Sequence, residues 1–314
     1  MTLSTQKTSS QQVSYRLGVD IGGTFTDVVL VGSSGQIMTR KVSSTEDDYA
    51  RGIVTGIREL LTAVDCQDFT VSEIMHGTTV ASNTILQMTG ARTGLITTQG
   101  FRDVLELRTL RMPRLYDLKW EKPPPLVERY LRVEVDERID RDGEIEKPLD
   151  RADARQAIER LLAEGVEAIA VCLINSFANP VHEQLIFEVI QEAAPDLPCC
   201  ISYNVLPEIK EYERTSTLVI NSYLLPVVQK YFSAMEADLE LIGLQVPIMV
   251  MQSNGGMMPS TTAGKRPIHI VESGPAAGVT GCYHLAKKLG LRDVITFDMG
   301  GTTAKAGVIE DGEI

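Results

Sequence analysis

One motif occurs twice in this chain, and it restricts the possible fold more than any other feature. The segments LGVDIGGTFTDVVLV at 17–31 and VITFDMGGTTAKAGVI at 294–309 both read apolar run, Asp, any residue, Gly-Gly-Thr, apolar run. Apolar runs on both sides of a glycine pair predict two strands joined by a tight turn. A single Gly-Gly-Thr turn can be explained by the need for glycine in a tight hairpin, without any function. Two copies this far apart are too widely spaced for a solenoid and predict duplicated domains that each give one loop to a shared nucleotide.

The chemistry of the two loops favours phosphate binding. Glycine has no Cβ atom, so successive backbone N–H groups can approach an anion closely, and the threonine hydroxyls add donors. The predicted phosphate-binding residues are Gly22, Gly23, Thr24, Gly300, Gly301, Thr302 and Thr303. Asp20 and Asp298 come at the strand ends before the turns, where a carboxylate can hold Mg²⁺ through the waters of the ion.

The composition limits the partners of the protein. The 314 residues carry a formal net charge of −12, which argues against a surface for nucleic acid or for an anionic membrane. No apolar run approaches the about 20 residues that span a bilayer. The segment 1–15 lacks the apolar stretch of a secretory signal, and we expect it to be a disordered tail. The five cysteines include no CxxC pair, which favours reduced thiols in a cytoplasmic protein.

Strand and helix patterns alternate along the chain, which predicts an α/β fold. Residues 17–42 are expected to form three strands with two turns, and a helix pattern follows at 48–63. The segment 100–149 is rich in Arg, acidic residues and Pro, and we interpret it as an insertion on the main sheet. A long helix pattern at 207–242 contains Pro226, which predicts a break or a kink there.

Further motifs narrow the class of protein. In chain order they are DIGGTFTDVVL, HGTTVASNTIL, GLITTQGFRDVLEL, LPEIKEYERTSTLVINSYLLPVV, MQSNGGMM, ESGPAAGV and FDMGGTTAKAGVI. This combination resembles the hydantoinase A / oxoprolinase family, and the resemblance runs from Arg16 to the last residue. The two glycine loops are similar to the phosphate loops of actin-like ATPases. The resemblance implies an α/β, ribonuclease-H-like fold of the actin type, a mixed sheet with flanking helices, and ATP with Mg²⁺ in a cleft between two domains.

The resemblance also implies an order of domains. It predicts a hydantoinase A N-terminal, ribonuclease-H-like domain at 16–205, with the insertion at about 100–149. Residues 206–290 are expected to continue as helical and α/β structure that links the lobes, and 291–314 to begin a second ATPase domain. Members of the family continue beyond the second loop. We therefore expect this chain to be an N-terminal fragment or a split subunit that lacks the adenosine side of the cleft and is inactive alone.

The resemblance implies ATP-dependent attack on an unreactive carbonyl. The expected protein is a subunit of a cyclic-amide hydrolase of the hydantoinase or oxoprolinase type, in which the γ-phosphoryl group of ATP activates the carbonyl oxygen. A ketone carboxylase subunit and a non-catalytic nucleotide-binding or assembly module stay open as alternatives. A hydantoinase-B-type subunit usually accompanies such chains. We therefore expect a hetero-oligomer that acts on a small carbonyl compound or cyclic amide, with no nucleic-acid or membrane partner.

Roles for single residues follow from the same resemblance. Asp20, Asp27 and Asp298 are the predicted catalytic carboxylates, although Asp27 is equally explained as an acidic strand residue beside a turn. Lys305 stands where many members have Asp, and it would neutralise phosphate charge or lie on the surface as an ordinary lysine. The predicted cleft residues are His76, Thr78, Thr79, Asn254, Ser273 and Gly274. Turn chemistry could explain each of these, and His76 is expected in a turn that opens an anion-binding helix.

Overall fold

The structure is a computed structural model that describes residues 13–45, 49–64, 69–109, 114, 116–117, 119–299 and 304–314. In chain order the strands are β1 (Val13–Ile21), β2 (Phe25–Gly32), β3 (Ile37–Ser43), β4 (Phe69–Thr78), β5 (Thr93–Thr98), β6 (Arg132–Val135), β7 (Arg138–Ile139), β8 (Ile145–Lys147), β9 (Ala168–Cys172), β10 (Cys199–Ile201), β11 (Ile248–Met251), β12 (Met257–Pro259), β13 (Val294–Met299) and β14 (Ala304–Ile309). The α-helices are α1 (Tyr49–Thr62), α2 (Val80–Leu86), α3 (Val104–Leu107), α4 (Arg151–Ala163), α5 (Val181–Ala193), α6 (Ser202–Val205), α7 (Glu211–Leu241), α8 (Ser260–Ala263) and α9 (Ser273–Leu289).

These elements form two compact units. The first comprises Met1–Asn83, Gln229–Lys265 and His269–Ile314, and the second comprises Thr84–Val228 and Arg266–Ile268. Each unit joins segments that lie far apart in the sequence. The predicted domains instead follow chain order, because sequence periodicity does not say which sheet a strand enters. The boundaries at 205 and 290 stay a prediction of consecutive domains, which these discontinuous units do not test.

The first unit is built on a six-stranded mixed sheet in the order β12-β11-β4-β1-β2-β3. Strands β1, β2 and β3 are antiparallel neighbours, whereas β4 lies parallel to both β1 and β11. Leu17, Val19 and Ile21 of β1 share one face and are buried, because successive side chains of a strand point to opposite faces. Helix α1 packs on β2 and β3. This mixed sheet with flanking helices confirms the predicted fold class.

The second unit has a four-stranded parallel sheet in the order β10-β9-β5-β6. Every residue of β5 and of β9 is buried, as expected for parallel strands covered on both faces. Helix α4 begins where the Asp150 carboxylate accepts a hydrogen bond from the Ala152 amide at 2.9 Å, which makes Asp150 the N-cap. The chain leaves this helix through Gly165, whose φ of +70° favours glycine.

The C-terminal hairpin packs on α9 within the first unit. Strands β13 and β14 are antiparallel, and Gly307 allows the close approach of the hairpin to the helix. A Cβ atom added at Gly307 would lie 2.4 Å from Cγ2 of Val279. The opposite face of the hairpin presents Ile295 and Phe297, which are exposed.

Three local predictions differ from the structure. His76 and Gly77 lie inside β4 and not in a turn, because β4 continues beside β1 as far as Thr78. Helix α7 runs through Pro226 without the predicted break, whereas a kink there stays a prediction. The segment 100–149 is not an insertion on the main sheet, because its strand β6 pairs with β5 in the second unit. In each case tertiary packing decided what the local pattern left open.

A glycine in the second unit provides the first test of this packing. A Cβ atom at Gly90 would lie 2.2 Å from Cε1 of the buried Tyr223 ring. We expect Gly90→Ala to lower the free energy of unfolding by about 1–3 kcal/mol, since the ring must move within a packed core. Urea unfolding followed by circular dichroism measures this change.

The matched control is Gly281→Ala in α9. A Cβ atom at Gly281 meets no atom within 4 Å, and alanine favours helix by up to about 1 kcal/mol relative to glycine. The control should therefore be neutral or stabilising. Equal stability of Gly90→Ala and the wild-type chain would contradict the packing described for Tyr223.

Candidate functional site

The first glycine loop is held in place at both ends by hydrogen bonds. The Gly22 amide donates to the Phe25 carbonyl at 2.9 Å, which closes the turn between β1 and β2. The Ser44 amide donates to the Thr24 carbonyl at 2.9 Å, and the Ser44 hydroxyl donates to the Gly22 carbonyl at 2.8 Å. Within the described part of the chain, no hydrogen bond uses the amides of Gly23 and Thr24. These two N–H groups are available to an anion, as the phosphate prediction requires.

Three carboxylates come together beside this loop. Asp20 and Asp27 are direct partners in the β1–β2 pair. The negative charge of Asp298 is close enough to influence the pKa of Asp20. Asp20 stays accessible to solvent, yet the protein around its carboxylate removes part of its hydration and raises its pKa. Repulsion by Asp27 and Asp298 raises the pKa further, whereas Lys41, which binds the Asp27 carboxylate at 2.6 Å, lowers it. The structure therefore pairs Asp20 with Asp27 and places Asp298 within electrostatic range of Asp20.

Two glycines leave room for the Asp20 side chain. A Cβ atom at Gly77 would lie 3.0 Å from Oδ1 of Asp20, and one at Gly274 would lie 3.5 Å from the same oxygen. Gly77 is the partner of Asp20 in the neighbouring strand β4. The sequence prediction included Gly274 but not Gly77. The HGTT motif contains Gly77, but its sequence pattern predicts a turn and not a strand.

The start of α9 is tied to the end of β4 by a reciprocal pair of hydrogen bonds. The Ser273 hydroxyl donates to the Thr78 carbonyl at 2.9 Å and accepts from the Thr78 amide at 3.2 Å. The Thr79 hydroxyl donates to the Ile21 carbonyl at 3.1 Å, at the end of β1. These three predicted cleft residues therefore position the strand ends around Asp20. The hydrogen-bonding groups named here are already engaged within the protein.

Lys305 does not extend freely into solvent. Its ammonium group forms an ion pair with the Glu272 carboxylate, and its backbone is the direct partner of Asp298 in the terminal hairpin. Glu272 precedes α9 with φ of +64°, a left-handed conformation that is uncommon for a residue with a side chain. The prediction did not include Glu272, although the ESGP motif contains it. The ion pair holds the second loop's strand to the start of α9.

The His76 side chain points away from the carboxylates. It lies on the opposite face of β4 and is buried against Tyr231 and Phe232. Its Nδ1 lies 3.3 Å from the Val19 carbonyl, and its Nε2 lies 2.6 Å from the Tyr231 hydroxyl. A carbonyl only accepts, so Nδ1 carries the proton and Nε2 accepts from Tyr231. Burial lowers the pKa of His76 to about 4, and the imidazole is therefore neutral in the core.

The remaining predicted site residues are Asn254 and four residues of the second loop. Asn254 lies in the β11–β12 turn, where its side-chain oxygen accepts from the Gly256 amide at 2.9 Å. This turn approaches α9, since a Cβ atom at Gly255 would lie 3.2 Å from the Thr280 hydroxyl. Four residues of the second loop fall outside the described residues: Gly300, Gly301, Thr302 and Thr303.

The carboxylates suit a hydrated cation better than a directly chelated one. Asp27 and Asp298 both repel the Asp20 carboxylate, and a divalent ion would relieve this repulsion. In the described ranges, no group of three or more His, Cys, Asp or Glu side chains is arranged to hold a metal ion. Mg²⁺ commonly keeps several waters and binds through one or two carboxylates. The residues present therefore fit the predicted contact of Asp20 and Asp298 through water.

The fold and this loop define the class of the protein as an α/β chain with the ribonuclease-H-like, actin-type ATPase fold. Across the residues with a described structure, no helix has both the length and the apolar character to cross a membrane. The profile of the Hydantoinase/oxoprolinase N-terminal region matches residues 16–194, and that of Hydantoinase/oxoprolinase matches residues 214–314. The chain belongs to the hydantoinase/oxoprolinase family.

Known relatives include enzymes with different reactions. The caprolactamase subunit alpha of Pseudomonas jessenii is 38% identical over 94% of this chain and 43% of its own, and the crystal structure of this ATP-dependent caprolactamase superposes with a TM-score of 0.81. The acetophenone carboxylase gamma subunit of Aromatoleum aromaticum is 32% identical over 98% of this chain and 44% of its own. A nucleotide-free structure of acetone carboxylase, which catalyses ATP-dependent acetone carboxylation, gives a TM-score of 0.85 at 27% identity, over 96% of this chain and 44% of that one. The chain thus spans less than half the length of each of these relatives.

The buried imidazole predicts how stability depends on pH. An unfolded chain binds a proton at His76 below pH 6.5, whereas the folded chain does so only near pH 4. Acid therefore favours the unfolded state, and stability should fall between these values by on the order of 3 kcal/mol from this group. His76→Gln should lose this part of the pH dependence, although it is less stable at neutral pH through lost packing.

Urea unfolding across this pH range measures the effect. The control is His284→Gln, at an exposed position of α9, which should keep the wild-type slope. The same slope in His76→Gln as in the wild-type chain would show that the imidazole is not buried neutral.

Proposed function

We propose that the chain is a subunit of an ATP-dependent cyclic-amide hydrolase of the hydantoinase or oxoprolinase type. One observation carries the proposal: the carboxylates of Asp20 and Asp27 lie beside a loop whose Gly23 and Thr24 amides are available to an anion. Phosphoryl transfer requires positioned charge and bound phosphate more than covalent chemistry by the protein. The kinship with an ATP-dependent caprolactamase supports a lactam as the type of substrate.

Each part of the site has a role in this proposal. ATP, when bound with Mg²⁺, supplies the γ-phosphoryl group that makes the carbonyl oxygen of the substrate a better leaving group. The amides of Gly23 and Thr24 bind phosphate oxygens, and Asp20 and Asp298 hold the waters of the ion. Asp27 orients the attacking group. Lys305 would neutralise phosphate charge, together with the loop at 300–303, by exchanging its Glu272 partner for a phosphate oxygen. Thr78, Thr79 and Ser273 fix the strand ends from which these groups project.

The partner in this proposal is a hydantoinase-B-type subunit. Two of the relatives are themselves named as subunits, alpha and gamma, of larger enzymes, which supports a hetero-oligomer. A ketone carboxylase is the second candidate, and kinship with acetophenone carboxylase and acetone carboxylase favours it. Both candidates place the same carbonyl-activation step at the same carboxylates, and they differ in what attacks the activated carbon.

The central test of the proposal is Asp20→Asn. We expect this variant, in the enzyme assembled with its partner subunit, to lose substrate-dependent ATP hydrolysis by at least about a hundredfold. The substitution removes a negative charge that holds the hydrated ion but keeps the size of the side chain. Phosphate release with and without substrate measures the loss, and circular dichroism checks the fold.

The matched control is Asp142→Asn, in the exposed turn between β7 and β8. It changes the net charge equally and should keep wild-type turnover. Wild-type turnover in Asp20→Asn would rule out the proposed role of the carboxylate cluster.

Bicarbonate separates the two candidate reactions. A cyclic-amide hydrolase needs only water to complete ring opening, so its substrate-dependent ATP hydrolysis should be unchanged in carbon-dioxide-free buffer. A ketone carboxylase should require added bicarbonate for product and for full ATP turnover. Product formation measured with and without bicarbonate decides between them. A strict bicarbonate requirement would replace the first candidate by the second.

A further inference from the structure

An apolar cleft opens directly beside the carboxylates of the first unit. Its volume is about 260 Å³, slightly below the about 300 Å³ at which pockets for drug-sized ligands begin. Asp20 and Asp27 line one part of it. Residues without charge line the rest, and those used below are Gly18, Val29, Met75, Met251, Met257 and Ala277. The cleft therefore has room for a small molecule at the carboxylates.

The alternation of side chains explains why this cleft is apolar. The cross-strand partners of Gly18 are Val29 on β2 and Met75 on β4. Each of the three lies two residues along its strand from Asp20, Asp27 or Gly77, respectively. They therefore lie on the same face of the sheet as the two carboxylates. Met251 and Met257 are partners on the neighbouring strands β11 and β12. All of these side chains are partly exposed, in contrast to the buried residues on the other face. A row of methionines suits an apolar ligand of variable shape, because the thioether side chain is flexible and polarizable.

The charges around the cleft exclude one kind of ligand. None of the described residues that line it is a Lys or an Arg. Lys41 is engaged with the Asp27 carboxylate at 2.6 Å. A ligand with its own carboxylate would lie beside two carboxylates with no Lys or Arg side chain among the described lining residues to balance it, which is unfavourable. A neutral ligand meets no such repulsion.

We infer that this cleft is the apolar subsite for the substrate, and that it selects carbonyl compounds whose ring or chain carries no charge. The carbonyl oxygen of the ligand would point toward the glycine loop and its phosphate, and the hydrocarbon part would lie on Met75, Met251 and Met257. This inference rests on the proposed function for its chemistry. Its specificity residues are the methionines and Gly18, none of which takes part in phosphoryl transfer.

Gly18 offers a way to change the size of the cleft without disturbing the strand. A Cβ atom there would meet only Val29, at 3.9 Å, which is ordinary contact distance. Gly18→Val should therefore fill part of the floor and keep β1 intact, since valine favours strands. We expect the KM for the largest unsubstituted lactams to rise by at least about tenfold, and that for the smallest to change less.

Met251→Lys tests the charge argument. A cation in the cleft should raise the KM for unsubstituted lactams by at least about tenfold and lower it for a lactam of the same ring that bears a carboxylate. The matched control is Met249→Lys, on the same strand and the same partly exposed face but not lining the cleft. Met249→Lys should keep the wild-type preference. Equal behaviour of the two lysine variants would overturn the inference.

A binding measurement separates this inference from the proposed function. Unsubstituted lactams are titrated into the 314-residue chain with isotope-labelled methionine methyl groups and without ATP. Shifts at Met75, Met251 and Met257, with none at Met249, support the subsite whatever the ATPase assay gives. No shift at these three methionines with any lactam overturns the subsite. If these shifts are present but the assembled enzyme shows no lactam-dependent ATP hydrolysis, the proposed hydrolase function is rejected and the subsite is not.

Discussion

The site depends on the pairing of β1 with a strand on each side. Antiparallel pairing with β2 places Asp20 opposite Asp27, and parallel pairing with β4 places it opposite Gly77. The Asp20 carboxylate thus has the Asp27 carboxylate on one side and, on the other, the space that Gly77 leaves by having no side chain. A slip of one residue in either register would turn the apolar side chains of β1 out of the core. Core burial and the geometry of the site are therefore fixed by the same hydrogen bonds.

The two faces of this sheet carry different chemistry. One face buries Leu17, Val19 and the neutral His76, and the other presents the carboxylates together with the methionine-lined cleft. The strict alternation of a strand lets carboxylates lie one residue away from a dry core. Glycine serves this arrangement at Gly77, where a larger residue would press on the Asp20 carboxylate.

Hydrogen bonds and one ion pair bring the distant parts of the chain to this face. The Ser273 hydroxyl joins the start of α9 to Thr78, and the Glu272–Lys305 ion pair joins the same helix to the terminal hairpin. Asp298 thereby comes within electrostatic range of Asp20. The strands that flank the two glycine motifs are thus connected through α9 within one compact unit.

Sequence patterns by themselves determined the strands around the two glycine motifs, and they predicted Asp20, Asp27 and Asp298 as site carboxylates, because apolar runs and glycine pairs are local signals. They also led to the hydantoinase/oxoprolinase family and its fold class. Tertiary structure alone decided that His76 points into the core, that β6 joins the second sheet, and that Met75, Met251 and Met257 meet in one cleft. These outcomes depend on which strand pairs with which and in what register. Such pairings join residues far apart in sequence, and no local periodicity encodes them.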